Sequence, residues 1–275
     1  MKYWFITGIS SGLGKALAQS VMENNDFVIG TFRKQSQVDH FNEMYQGKGF
    51  AYLLDITNFN EIENVVHAII SQFGKIDVLV NNAGVGFVGA IEEASINEIK
   101  NVFEINLFGT LKLTQAVLPF MRKQKNGNIV QISSHGGIKA FAGFGIYNAS
   151  KFALEGFSEA LAEEVKPLGI KVLIVEPGPF RTSFAGNGLI EAQHKIDDYS
   201  DTAGIFRTKL KNVDGKQEGD PVKAAKAIIK SVNSENSILR LPLGKIAIKT
   251  IGIKLENVKT AIEFYKEIAE DSVYG

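Results

Sequence analysis

The sequence predicts an α/β fold in which a parallel seven-stranded sheet is doubly wound, with helices on both faces. Three observations lead there. Short β-branched or aromatic runs alternate with helix-length segments along the whole chain. Several of these runs are apolar at consecutive positions, the pattern of strands buried on both sides. No Pro/Ser/Gly-rich linker or internal repeat interrupts the alternation, so residues 1–275 are expected to form a single domain.

The first strand is expected at 3–7, where Tyr3-Trp4-Phe5-Ile6-Thr7 runs into a glycine turn, and a helix follows at 13–23. Strands are then expected at 27–31, 51–54 and 78–80, with apolar residues at helical spacing between the last two, over 61–73. A long helix at 99–121 leads to a strand at 128–132. Another at 147–165 leads to a strand at 171–175, and the seventh strand falls at 238–241. The lysine-rich stretch Lys245, Lys249, Lys254 and Lys259, followed by Glu263, Glu267 and Glu270, reads as a solvated amphipathic helix.

Composition narrows the chemistry. Thirty Lys and Arg balance thirty Asp and Glu, so the chain lacks the positive field that nucleic-acid binding needs. There is no cysteine and there are only four histidines, which excludes disulfide scaffolds and thiolate zinc sites and leaves little for any metal centre. No apolar run approaches the roughly 20 residues that span a bilayer. The first residues read as a strand instead of a signal peptide, and a cytoplasmic protein is expected. Hydroxyls, amines and carboxylates must do the work.

The first strand ends in Thr7-Gly8-Ile9-Ser10-Ser11-Gly12-Leu13-Gly14, ahead of a helix-forming run. Backbone amides at such a turn can face an anion. Gly8 would permit the sharp turn, Gly12 close approach of a pyrophosphate and Gly14 tight packing of helix on sheet. At the end of the second strand the chain reads Gly30-Thr31-Phe32-Arg33-Lys34. Phe32 stands where a site for NAD would want a carboxylate, and Arg33 can grip a 2′-phosphate, so NADP(H) is expected in preference to NAD(H). The bland reading of Arg33 and Lys34 is a pair of solvated cations.

Tyr147 and Lys151 are four residues apart, which puts phenol and ammonium on one helix face. At about 4 Å and an effective dielectric of about 20, the ammonium would favour phenolate by up to about 4 kcal/mol. The phenol would then serve as an acid–base group. Ser134, at the end of the fifth strand, can hydrogen-bond a carbonyl or alkoxide oxygen. The Gly8–Gly14 turn, Asn81 to Gly84, Ser133-Ser134 and the run from Pro177 to Thr182 all follow strand carboxyl ends. In an open parallel sheet that edge is where ligands bind.

Taken together, Thr7-Gly8-x3-Gly12-x-Gly14, Asp55, Asn81 to Gly84, Asn106, Ser134, Tyr147-x3-Lys151 and Pro177-Gly178 resemble the classical short-chain dehydrogenase/reductase family, a Rossmann fold, almost end to end. The resemblance implies that Tyr147 is the general acid in carbonyl reduction and that Ser134 positions the substrate oxygen. It implies that Lys151 holds the nicotinamide ribose and lowers the phenol pKa. Asn106 would hold a water linking Lys151 to solvent. Asp55 would meet the adenine ring edge, Asn82 and Ala83 with Gly84 the adenosine side, and Thr182, beyond Pro177, the nicotinamide carboxamide. Ordinary roles compete: Asn106 as a polar helix residue, and Asp55 as a helix cap. His135, beside the serine, reads as a wall or solvent-facing residue.

The stretch 180–216 is the expected substrate-binding segment, with Phe180, Phe184, Leu189, Ile190, Tyr199, Ile205, Phe206 and Leu210, faced by Val85, Phe87, Val88, Phe141 and Phe144. Such a lining suits a bulky apolar alcohol or ketone, and equally suits lid-to-core packing or a subunit contact. Gly186, Gly188 and Gly204 suggest a lid. The expected partner is a small-molecule carbonyl or alcohol, and the resemblance adds a homodimer or homotetramer. The alternative is a dinucleotide-binding regulatory protein that keeps the fold without the chemistry, which the intact Ser134, Tyr147 and Lys151 oppose. An extended epimerase-like relative would need a larger carboxy-terminal domain than the residues after Thr182 provide.

Overall fold

A computed structural model describes residues 1–186, 188–236 and 238–274, so Asn187 within the expected segment 180–216, and Ser237 and Gly275 within the span 1–275, lie outside the described residues. The chain runs β1 (Tyr3–Ile6), α1 (Gly12–Glu23), β2 (Phe27–Phe32), α2 (Gln35–Met44), β3 (Gly49–Leu53), α3 (Phe59–Phe73), β4 (Val78–Asn81) and β5 (Gly86–Val88). It continues through α4 (Ile96–Phe103), α5 (Gly109–Gln124), β6 (Gly127–Ile132), α6 (Gly145–Val165), β7 (Ile170–Pro177), β8 (Leu189–Glu191), α7 (Ile205–Val213), α8 (Pro221–Val232), β9 (Arg240–Leu243), α9 (Lys245–Phe264) and α10 (Lys266–Glu270).

Seven strands form one parallel sheet in the order β3-β2-β1-β4-β6-β7-β9. Alternate side chains feed two apolar layers, as the period of a strand requires. Trp4, Ile6, Val28, Val80, Val130 and Val175 pack on one face against Leu17 and Val21 of α1 and Ile228 and Val232 of α8. Phe5, Ile29, Leu79, Ile129 and Ile174 pack on the other, against α3, α5 and α6. The consecutive apolar runs are thus strands covered on both sides. The strand order reverses between β1 and β4, and the loops after those two strands meet at the sheet's carboxyl edge, where an open parallel sheet places its crevice.

Two features depart from the sequence reading. The expected helix 99–121 is interrupted by a π turn over Glu104–Phe108, which separates α4 from α5 and carries Asn106. The interruption has a packing cause: a methyl group at Gly109 would lie 2.6 Å from the Ile56 carbonyl oxygen, and the Asn106 side chain is held by the backbone of Val85. Outside the main sheet, β5 and β8 pair in parallel as a two-stranded ribbon over the crevice, Phe87 opposite Ile190. Among the described residues no helix is long and apolar enough to cross a membrane.

Candidate active site

The glycine turn after β1 has the geometry that could hold an anion. Gly8 (φ +69°) and Gly12 (φ +60°) take left-handed backbone angles that side chains resist. Ser11 starts α1 in an extended conformation with no side-chain cap, so the first-turn amides are left for another acceptor. Gly14 has a role different from the one expected. A methyl there would lie 2.3 Å from Asn82 Nδ2 and 2.5 Å from the Gly8 carbonyl oxygen, so its bareness admits the Asn82 amide to the loop. Asn82 Nδ2 donates to the carbonyls of Thr7 (2.8 Å) and Gly8 (3.1 Å), and the amides of Asn82 and Ala83 both donate to Thr7 Oγ1 at 3.0 Å. Asn82 and Ala83 therefore fasten the loop after β4 to the glycine turn. Ser10 and Leu13 complete that turn, and Thr182, beyond the end of β7 at Pro177, faces Gly12 from across the crevice.

At the end of β2, Phe32 turns into the core against Phe41, with ring centroids 5.7 Å apart. Arg33 is exposed, and among the described residues no carboxylate pairs with it. Asp55 is also exposed, but one of its oxygens already accepts from Thr57, from the amide at 2.9 Å and the hydroxyl at 2.8 Å. It forms a turn ahead of α3 and is not the cap of that helix, which is Asn58. These loops and side chains fit a dinucleotide: amides where a pyrophosphate needs donors, and an unpaired guanidinium at the second strand.

Tyr147 lies in the first turn of α6, with Lys151 one turn on and Glu155 one turn further along the same face. All three are buried. Gly136 locates the hydroxyls, because a methyl there would lie 3.2 Å from Ser134 Oγ and 3.5 Å from the edge of the Tyr147 ring. Ser134 Oγ accepts from the Gly136 amide at 2.9 Å, and Asn148 ties the same turn to α6 through the Gly136 carbonyl at 2.8 Å. The Lys151 ammonium donates to the Ile132 carbonyl at 2.8 Å and stands 6.0 Å from the Tyr147 ring centroid. Gly84 lies beside it: a methyl on Gly84 would be 3.6 Å from Lys151 Nζ and 3.2 Å from Asn106 Oδ1.

The electrostatics differ from expectation. Burial pushes the Tyr147 phenol up to about 12, against the Ser134 hydroxyl, and pulls the Lys151 ammonium down to about 8, against the Glu155 carboxylate. Desolvation is the larger influence on the phenol, and the Lys151 ammonium is engaged by the Ile132 carbonyl. Asn106 is firmly engaged as well. Its Oδ1 accepts from the Val85 amide at 2.8 Å, and its Nδ2 donates to the Val85 carbonyl at 2.9 Å and to Ser150 Oγ at 3.0 Å. The side chain clasps the β5 loop to α6.

Apolar walls surround the phenol. Phe144 and Phe184 stand 4.4 and 5.6 Å from the Tyr147 ring, Phe206 packs on Phe144, and Phe87, Phe141, Leu189, Ile190 and Leu210 join the cluster. His135 is a wall residue, 5.2 Å from Phe141, with Nδ1 3.0 Å from Thr250 Oγ1; burial brings its imidazole down to about 4, so it is neutral at physiological pH.

Two ionic groups were not read from the sequence. Glu93 is buried beneath the segment around β8 and bonds Arg207 at 2.7 Å and the amides of Ala90 and Ile196 at 2.7 and 3.0 Å. Burial opposes its charge, yet these donors hold it below the usual carboxylate range. Behind Lys151, Arg240 of β9 gathers Glu155, Glu176 (2.6 Å) and Glu159 (2.5 Å). Glu155 had one available signal, its place four residues after Lys151. Glu93 and Arg207 are 114 residues apart and had none.

A family model described as short chain dehydrogenase matches residues 2–191. The 3-ketodihydrosphingosine reductase of Bacteroides thetaiotaomicron is 41% identical over 244 residues, 88% of this chain and 87% of that protein. A crystal structure of a short-chain dehydrogenase from Streptomyces avermitilis superposes with a TM-score of 0.93 at 39% identity, covering 99% of this chain and 100% of that one. ElxO with NADP bound is 26% identical, with a TM-score of 0.72 over 88% of this chain and 96% of its own. On its sequence, its sheet order and these likenesses, the chain belongs to the short-chain dehydrogenase family and is an oxidoreductase.

Proposed function

We propose that this protein is an NADP(H)-dependent oxidoreductase that interconverts a bulky apolar ketone and its alcohol, with the full chain acting as one domain and 180–216 as its substrate-binding segment. The observation that carries this reading is the meeting of Tyr147, Ser134 and Lys151 at the carboxyl edge of the sheet, beside the Gly8–Gly14 turn. Residues of that turn would hold the pyrophosphate and Arg33 the 2′-phosphate. Asp55, Asn82, Ala83, Gly84, Pro177 and Thr182 would frame the remainder. The bound nicotinamide supplies or accepts the hydride.

The chain's own groups handle the oxygen and the proton. A phenol near 12 is fully protonated at neutral pH, the form a general acid needs to give a proton to a substrate oxygen. Ser134, whose Oγ accepts from the Gly136 amide and whose hydroxyl lies against the phenol, would turn its proton to that same oxygen and hold it beside the phenol. Once the proton leaves, Lys151 on the adjacent turn stabilises the phenolate by its charge. Asn106 acts as a positioning residue that keeps the β5 loop against α6. The phenylalanines around Tyr147 exclude water and favour an apolar substrate, and the likeness to the 3-ketodihydrosphingosine reductase of Bacteroides thetaiotaomicron supports that preference.

The test is a nicotinamide-absorbance screen of the purified protein with NADPH and NADH against aliphatic, aromatic, steroid, retinoid and long-chain keto substrates. Turnover with an apolar ketone and NADPH is expected. Tight NADPH binding with no turnover across the panel would favour a regulatory protein on the same fold.

A further inference from the structure

The carboxy-terminal helices leave the body of the protein. From Gly252 onward nearly every described side chain of α9 and α10 is exposed, although the segment is rich in large apolar residues. Ile248, Ile251, Leu255, Val258 and Ile262 recur at alternating intervals of three and four, which aligns them in one stripe along α9, and Tyr265 continues the spacing at its carboxyl cap. Ile248 is 63% exposed, Leu255 61%, Ile262 62% and Tyr265 55%. A stripe spaced in this way fits a second helix carrying the same repeat, since its knobs and holes match those of a facing stripe.

Charge selects the orientation and the occupant. Lys245, Lys249 and Lys254 mark the start of the segment, with no acid among residues 245–254. Glu263, Glu267, Glu270 and Asp271 mark its end against the single Lys266. A second copy laid antiparallel brings each basic end beside an acidic one, whereas a parallel copy sets like charges together. The body provides a second reason. It is joined to the amino end of α9, where the first turn follows β9 and Thr250 bonds His135, so antiparallel helices keep the two bodies at opposite ends.

We infer that residues 248–269 pair antiparallel with the same segment of a second copy of this chain, forming an isologous two-helix interface outside the crevice. Such a contact is self-complementary and closes as a dimer. Because α9 is tied through Thr250 to His135, the neighbour of Ser134, the pairing also braces the wall of the candidate site.

The experiment is sedimentation velocity on the full chain, alone and with anionic phosphatidylserine vesicles, beside the double variant Leu255→Glu, Ile262→Glu. A wild-type dimer at micromolar concentration and a monomeric variant with unchanged melting of the body support the inference. Orientation is read from a spin label at Lys249→Cys, a unique thiol because the native chain has none. With Ile248 opposite Tyr265, the two labels lie about 15 residues apart along the axis, a separation of about 22 Å at 1.5 Å per residue, plus the interhelical offset. A parallel pair would place them at roughly the interhelical distance of about 10 Å. A wild-type monomer, a dimer that survives both glutamates, the short label distance, or a monomer that sediments with vesicles through the same apolar stripe would each overturn it.

Discussion

Replacing Lys151 by Met should make the folded protein more stable at neutral pH while removing its activity. Burial brings the ammonium from 10.5 to about 8. At about 1.4 kcal/mol per pH unit, holding that charge inside the fold costs about 3 kcal/mol at pH 7. Methionine is of similar length and carries no charge, but it gives up the charge-assisted bond to the Ile132 carbonyl at 2.8 Å, a loss of about 1.5–3 kcal/mol. The net gain is at most about 1.5 kcal/mol. It is fully present below pH 8. Between pH 8 and 10.5 the folded wild-type lysine has lost its proton while the unfolded chain keeps it, so wild-type stability rises and the advantage of the variant disappears. Urea unfolding of both proteins at pH 7 and pH 10.5, read by circular dichroism, measures the difference directly. A variant less stable than wild type at pH 7 would refute the claim that burial of this ammonium is costly. Loss of turnover in the stabilised variant would show a group kept for its chemistry at the expense of the fold.

Further predictions concern the cofactor and the groups behind the lysine. Arg33→Ala should raise the KM for NADPH by about 10- to 100-fold, the loss of one charge-assisted contact, and leave NADH unaffected; an equal loss with NADH would assign Arg33 to the fold. Gly14→Ala must displace Asn82 or the Gly8 carbonyl, and should cost about 1–3 kcal/mol in thermal unfolding together with a clear loss of dinucleotide affinity in a fluorescence titration. Glu155→Gln removes the carboxylate that favours the Lys151 ammonium, so the alkaline limb of kcat/KM should move to lower pH; an unchanged limb would place Glu155 outside the electrostatics of the site.

Much of this molecule can be read along the chain because its signals are local. Six of the seven main strands contain their own apolar run, while the seventh, expected at 238–241, lies at Arg240–Leu243, and the glycine turn, the Tyr147–Lys151 pair and Ser134 each lie within a few residues of a strand or helix end. Parallel topology then gathers those ends at one edge, so convergence of distant motifs followed from fold class. What escaped prediction depends on partners far apart in sequence. The ribbon of β5 and β8 joins two three-residue strands separated by about a hundred residues, and the Glu93–Arg207 bond spans 114. The π turn at Glu104–Phe108 is set by Ile56 and Val85, not by its own residues. Spacing also put Tyr147 and Lys151 on one face without revealing how deeply both are buried, and burial decides the direction in which each titrates.

The central claim is that the Tyr147 hydroxyl gives the proton, and it is tested most directly by Tyr147→Phe. Single-turnover oxidation of NADPH by an accepted ketone should fall by at least about a hundredfold, the lower end of what a positioned acid contributes. NADPH affinity should stay within about twofold of wild type. A variant that oxidises NADPH at a rate close to wild type would contradict the account.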